Sequence, residues 1–128
     1  MNMFCRAMTI GLSFAIAAIP LTTFAQDRNG DYYKAPRDGR NEDYYMRAWL
    51  VVDPTPLNCR RAPGSKNPVV RQFAKGKVIF AEIGESGKLN PIVNDEQDKP
   101  WLRVTMEGDL CYVRANSQYI RPNGPGSH

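Results

Sequence analysis

Two short stretches decide how this chain folds: residues 57–64, LNCRRAPG, and residues 110–120, LCYVRANSQYI. Each places a cysteine inside a run in which apolar and polar residues alternate. Such alternation is typical of a β-strand with one buried face. In the second run Cys111 shares a face with Val113 and Ala115, and in the first run Cys59 shares a face with Leu57. Both cysteines are therefore expected on the apolar faces of two strands that lie far apart in the sequence.

The first 25 residues have the pattern of a secretory signal peptide. Arg6 precedes an apolar run at residues 9–21, and small residues at Thr23 and Ala25 predict cleavage after Ala25. The apolar run is too short for a comfortable membrane span, and no stop-transfer run follows it; a retained N-terminal anchor is the alternative. The sequence thus predicts a periplasmic or secreted protein with no membrane span after cleavage.

Cleavage would remove Cys5 and leave Cys59 and Cys111, an even number of cysteines in an oxidising compartment. A disulfide is favoured over a reactive thiol, because the single histidine, His128, lies in the Gly/Ser tail. The bridge would close a loop of 53 residues, which contributes about 4 kcal/mol in the chain-entropy model. The two cysteines are thus predicted to connect two distant strands.

The remaining 103 residues suffice for one small domain. They carry 16 basic and 13 acidic side chains, a formal charge of +3. Most of these charges are expected on a solvated surface, although the basic bias is compatible with a polyanionic partner such as the cell wall. No nucleic-acid partner is expected, because exported proteins rarely meet one.

Residues 26–45 are rich in Asp, Arg, Gly, Asn and Tyr and almost lack aliphatic side chains. This composition predicts a flexible polar linker that buries little surface. The triplet DYY occurs twice, at residues 31–33 and 43–45. An aromatic tether is the functional interpretation of the triplets; a linker whose second copy leads into a strand is favoured.

From Met46 onwards, short apolar runs alternate with Gly and Pro. They predict strands at residues 47–52, 57–61, 77–83, 100–106 and 110–115, with a sixth at 120–122. Residues 107–109, EGD, form a tight turn that pairs the fourth and fifth strands. Residues 84–99 are predicted to be a long polar loop, and residues 123–128 a disordered tail. Without sustained helical periodicity, the fold class is all-β, a small barrel or sandwich.

These elements resemble the bacterial SH3-like (SH3b) domain over residues 46–121. The family's LNVR-x-x-P/G stretch matches LNCRRAPG, its W-x-x-V strand matches WLRV, and its G-Y/W-V strand matches CYV. The matching residues are Leu57, Asn58, Arg60, Gly64, Val70, Gly76, Val78, Trp101, Val104, Tyr112, Val113, Tyr119 and Ile120. The resemblance implies an SH3-like β-barrel of five to six strands at residues 46–122 that binds peptidoglycan or a cell-wall-associated protein.

The chain departs from the family pattern in two ways. Cys59 stands where the family usually has Val, and Cys111 where it often has Gly, which fits a bridge between neighbouring strands. The loop at residues 84–99 is longer than usual, so it either decorates the barrel or covers part of a groove. That length leaves the position of a transferred ligand site open.

No catalytic set of residues is recognised, and the family's catalytic partner domains have no counterpart, so the protein is predicted not to be an enzyme. Asp95, Glu96 and Asp98 lack the D-x-D-x-D-G pattern of a calcium loop and are better explained as a solvated loop. Gly64 and Gly76 stand alone in turns and do not make a phosphate loop. No metal and no cofactor are therefore expected.

A binding surface is the remaining functional feature. Aromatic rings beside guanidinium groups can stack on sugars or peptide planes and pair with carboxylates. The predicted ligand-binding residues are Arg60, Arg61, Trp101, Arg103, Tyr112, Arg114 and Tyr119. The structural alternative is that Trp101 and Tyr112 cap a small barrel. The favoured function is an exported binding module for the cell wall, and the alternative is an interaction or inhibitor module acting on a cell-wall hydrolase.

Overall fold

The computed structural model describes residues 28–124. The predicted signal peptide and the end of the tail, including His128, lie outside the described residues. Within residues 28–124 the structure has no helix that is long and apolar enough to cross a membrane. The strands are β1 (Arg37–Asp38), β2 (Asn41–Tyr45), β3 (Ala48–Val51), β4 (Leu57–Arg60), β5 (Val69–Phe73), β6 (Val78–Ala81), β7 (Ile92–Asn94), β8 (Pro100–Met106), β9 (Asp109–Arg114) and β10 (Ile120–Pro122).

The strands confirm the all-β fold class. Eight of them form one antiparallel sheet in the order β10-β3-β6-β8-β9-β4-β5, with β7 added on β8, and β1 and β2 form a separate hairpin. The predicted turn at residues 107–109 does pair β8 with β9, through Met106 opposite Asp109. Four further strands were not predicted: β1 and β2 lie in the predicted linker, β7 lies in the predicted loop 84–99, and β5 lies in a segment for which no element was predicted.

The described sheet does not close on itself, so the all-β class is shown and the SH3-like β-barrel of five to six strands stays a prediction. Strands β10 and β5 stand at the two ends of the strand order and do not pair with each other in residues 28–124. β10 is three residues long and ends at Pro122, whose ring nitrogen has no N–H to donate to a further strand. This short terminal strand therefore leaves the sheet as an open path.

The buried faces of the strands form one hydrophobic core. In β9 the alternation is as predicted: Cys111 and Val113 are buried, while Tyr112 and Arg114 on the opposite face are only partly covered. Trp49 of β3 is fully buried, and Tyr32 packs against it edge-on with ring centroids 5.1 Å apart. The Trp49 Nε1–H has no hydrogen-bond partner among the described residues. The Trp49 side chain therefore contributes to the core through apolar packing.

The predicted disulfide is confirmed. Cys59 and Cys111 are bonded, with Cα atoms 5.4 Å apart. The bridge connects β4 to β9, which pair beside it at Arg60 and Tyr112. It therefore fixes the two strands that carry three of the seven predicted binding residues, Arg60, Tyr112 and Arg114.

The segment before Met46 buries more than its composition suggests, and this corrects the expectation of a linker that covers little surface. Asp31 and Tyr32 are 2% and 3% exposed. The Tyr32 amide donates to the carbonyl of Ala115, and Asp31 forms a β-bridge with Asn116. The average hydrophobicity of this segment is low, but two of its side chains have specific partners. Tyr32 packs on Trp49, and Asp31 accepts a hydrogen bond from the buried Asn116 side chain.

The predicted long loop at residues 84–99 also makes regular contacts with neighbouring strands. Its second half forms β7, which pairs with β8, and its first half runs beside β2, where the Tyr45 amide donates to the carbonyl of Gly87. Gly87 has a φ of 77°, and a Cβ atom there would lie 3.0 Å from the ring of Tyr44. Glycine is required at this position by both the backbone conformation and the close approach.

Candidate functional site

A surface groove of about 460 Å³ lies beside the outer face of the sheet. Strands β4, β8 and β9 supply one side, and the chain between β3 and β4, the loop 95–99 and the turn before β10 supply the rest. The groove brings together four of the seven predicted binding residues: Arg60, Trp101, Arg114 and Tyr119. Lys99, Asp95 and Asp53 also line it.

Arg60 is half-buried and is held by the loop that follows β4. Its Nη1 donates to the carbonyl oxygen of Asn67 at 2.8 Å. Asn67 is itself fixed, because its side-chain amide donates to the carbonyls of Ala62 and Pro63. The turn-rich sequence after Arg60 thus positions the guanidinium at the edge of the groove.

Arg114 is held by a carboxylate that the sequence analysis did not identify as functional. Its Nη1 lies 2.6 Å from Oδ1 of Asp31 and also donates to the carbonyl of Pro100. The side-chain amide of Asn116 donates to the same Asp31 oxygen at 2.9 Å. Burial raises the pKa of Asp31, but the hydrogen bonds from Arg114 and Asn116 outweigh it and hold that pKa below its ordinary value. Asp31 is therefore ionised and fixes Arg114.

Trp101 lies on the outer face of β8, opposite Arg114 as the strand register requires, but it is only 4% exposed. Its Nε1–H donates to Oδ2 of Asp95 at 2.8 Å. The other oxygen of Asp95 accepts the backbone N–H groups of Gln97 and Lys99. The indole thus contributes a rigid wall to the groove, with little ring surface for a ligand.

The carboxylate of Asp95 accepts three hydrogen bonds from these donors. Burial raises the pKa of Asp95, but the hydrogen bonds from the N–H of Lys99, the Trp101 indole and the N–H of Gln97 together lower it by more. The pKa therefore lies below the ordinary value. Among residues 28–124 no group of three His, Cys, Asp or Glu side chains is placed to hold a metal ion. Asp95 organises the loop 95–99, whose Asp98 carbonyl accepts the hydroxyl of Tyr33.

Tyr119 belongs to the turn that leads into β10. Its carbonyl accepts the backbone N–H of Val52 and of Asp53, and its amide donates to the carbonyl of Asn116. The ring is half-buried and packs partly against the core. Tyr119 therefore offers the groove an aromatic edge on a turn that is tied to the sheet.

The other three predicted binding residues lie elsewhere. Tyr112 and Arg103 are on the same outer face, opposite each other on β9 and β8, but they do not line the groove. Arg61 is exposed beside a separate shallow cavity of about 270 Å³, together with Val70 and Leu110. Of the seven residues, four therefore line the groove, Arg103 and Tyr112 lie beside it on the same face, and Arg61 lies apart from both.

Comparison with protein-family models, curated proteins and solved structures found no match to this chain. The groove is therefore interpreted from its own chemistry. Three cations, Arg60, Lys99 and Arg114, line it with two anions, Asp53 and Asp95. Such a surface can pair with carboxylates and hydroxyl groups and can offer an aromatic face to a sugar or peptide plane.

Proposed function

We propose that this chain is an exported, non-catalytic binding module of SH3-like fold that recognises peptidoglycan, or a protein associated with it, in the periplasm or after secretion. The observation that carries the proposal is the groove, where Arg60 and Arg114 are both fixed by hydrogen bonds beside Tyr119. Groups that are already ordered lose little conformational entropy when a ligand binds. The groove is thus suited to a ligand that presents carboxylates next to sugar or peptide surfaces.

The chemistry of the cell wall agrees with this groove. Stem peptides carry carboxylates that can pair with guanidinium groups, and glycan strands have faces that stack on aromatic rings. The Cys59–Cys111 bridge is the type of crosslink that persists in oxidising compartments. The predicted signal peptide would deliver the chain to such a compartment.

The test is sedimentation with purified sacculi. The unchanged protein should pellet with the wall material, and Tyr119→Ala and Arg60→Gln should each weaken the association about tenfold, as expected for the loss of about 1.4 kcal/mol. Lys75→Gln is the matched control, because Lys75 is exposed and outside the groove. Absence of the unchanged protein from the pellet contradicts binding to peptidoglycan itself, and equal binding by all variants contradicts a role for the groove.

The alternative is an interaction or inhibitor module that acts on a cell-wall hydrolase. It is favoured by the outer-face residues beyond the groove, Arg103 and Tyr112, which a small groove ligand would not contact. This alternative predicts that the protein stays in the supernatant with sacculi but reduces the rate at which a hydrolase clears them. Clearing of wall material by the purified protein alone would instead indicate an enzyme.

A further inference from the structure

The outer face of the sheet carries two neighbouring rows of side chains with different chemistry. Arg60, Tyr112 and Arg103 lie opposite one another across β4, β9 and β8, and form the arginine–tyrosine row. Phe80, Thr105 and Leu110 lie opposite one another across β6, β8 and β9, and form the apolar row. The rows are two residues apart along the strands, roughly 7 Å. They therefore form one continuous surface.

The two arginines lean away from the tyrosine between them. Arg60 donates to the carbonyl of Asn67, which lies on the β5 side of β4, and Arg103 donates to the carbonyl of Asn90, which lies on the β7 side of β8. Both anchors lie on the far side from β9, so Tyr112 is left between two fixed cations.

Neither of these guanidinium groups has a carboxylate within ion-pair distance among residues 28–124, whereas Arg114 and Arg71 do. Each uses one nitrogen on a backbone carbonyl and keeps further N–H donors. Beside them, Phe80 and Leu110 are 41% and 49% exposed. The surface thus combines two uncompensated positive charges with exposed apolar side chains.

We propose that this face binds an extended polypeptide segment that presents two carboxylates on one side with an apolar side chain between them. β4 and β8 are two strand spacings apart, about 10 Å. Because each arginine leans outward by up to one further strand spacing, the two guanidinium groups are at most about 19 Å apart. Residues i and i+4 of an extended chain lie on one side about 13 Å apart. Two acidic residues at that spacing reach Arg60 and Arg103, and residue i+2 lies over Tyr112.

The charges near the apolar row favour a polypeptide over an anionic membrane. Glu107 and Asp109 lie at the turn beside Leu110, and their side chains are 79% and 82% exposed. Both carboxylates lie 3.9 Å from Arg71, so this end of the sheet carries two negative charges against one positive charge and offers an anionic lipid surface no net attraction. A narrow peptide can cross the arginine–tyrosine row without meeting them.

This surface goes beyond the proposed function, since Arg103, Tyr112, Phe80 and Leu110 do not line the groove. Only Arg60 is shared between the two. Variants of Arg103 and Tyr112 therefore test the peptide surface, and a variant of Tyr119 tests the groove. The two proposals can fail independently.

The experiment measures fluorescence anisotropy of a labelled probe peptide, Gly-Glu-Thr-Leu-Thr-Glu-Gly, with the full chain produced by export so that the disulfide forms. The probe should bind about tenfold more tightly than the same peptide with both Glu replaced by Gln, as expected for two surface ion pairs. Arg103→Gln should reduce this difference to about threefold, because the Arg60 pair remains. Tyr112→Ala should weaken the binding of both peptides alike, because the tyrosine contacts residue i+2, and Tyr119→Ala should leave both affinities unchanged.

Thermal melting of each variant checks that it is folded, and the conservative variant Tyr112→Phe should retain binding if Tyr112→Ala does not fold. Equal affinity for the Glu and Gln peptides overturns the proposal. So does unchanged probe binding by Arg103→Gln, or binding of the protein to phosphatidylglycerol vesicles with no binding to the probe.

Discussion

Asp31→Ala should destabilise the protein strongly, because it breaks a buried ion pair. Asp31 is 2% exposed, and its oxygen meets Nη1 of Arg114 at 2.6 Å and the amide of Asn116 at 2.9 Å. Removing one partner of a buried pair costs about 3–5 kcal/mol, because the other charge is left buried without compensation. The Arg114 side chain is 23% exposed and can still reach water, so we expect the lower end, about 3 kcal/mol.

This loss corresponds to a fall in Tm of about 12–24 °C for a domain of this size. Urea unfolding followed by tryptophan fluorescence measures it directly, because Trp49 and Trp101 are both buried. The disulfide should be kept oxidised so that the unfolded state is the same in all variants. An unchanged m-value shows that the altered midpoint reports stability.

Asp109→Ala is the matched control. Asp109 also faces an arginine, but at 3.9 Å and with a side chain that is 82% exposed. Exposed pairs contribute about 0–1 kcal/mol, so this variant should melt close to the unchanged protein. If Asp31→Ala costs no more than Asp109→Ala, the buried ion pair does not stabilise the fold and Arg114 is not held as described.

Three further predictions follow from the same contacts. The folded-state pKa values of Asp31 and Asp95 are lowered from 3.8, so their contribution to stability is complete above about pH 4 and is lost as pH falls through the folded values. Urea unfolding between pH 5 and 2 should show a shallower loss in Asp31→Asn or Asp95→Asn; equal slopes would refute the assignment. The double variant Cys59→Ser, Cys111→Ser should lose about 4 kcal/mol of unfolding free energy in the chain-entropy model. A loss below about 1 kcal/mol would show that the bridge does not restrict the unfolded chain. Gly87→Ala should lower Tm, because its Cβ would lie 3.0 Å from the Tyr44 ring and because φ is 77°. Gly76 also has a positive φ, but a Cβ there has no atom within 4 Å. Gly76→Ala therefore measures the backbone strain alone and should lower Tm less.

The strands that could be predicted are those whose own sequence contains the signal. β8 matches its predicted bounds, and β9 matches within one residue at each end, because both alternate and a Gly-containing turn joins them. The disulfide follows from two cysteines on the apolar faces of predicted strands in an oxidising context. These features depend on residues close together in sequence or on one simple count.

The missed features depend on contacts between distant residues. β5, VVRQF, does not alternate, and β7 is only three residues long, so each is recognisable mainly through its partner strand. Asp31 looks like any other polar residue of its segment until Arg114 is placed beside it. The same is true of Asp95, which appears as part of an acidic loop but holds the Trp101 indole.

Asp31 also affects the electrostatics of the groove. Asp31 pairs with Arg114, whereas Arg60 and Lys99 have no carboxylate within ion-pair distance among residues 28–124. A ligand carboxylate is therefore expected to pair with Arg60 or Lys99 rather than with Arg114. Arg114, which is already paired, is better suited to neutral hydroxyl or peptide groups.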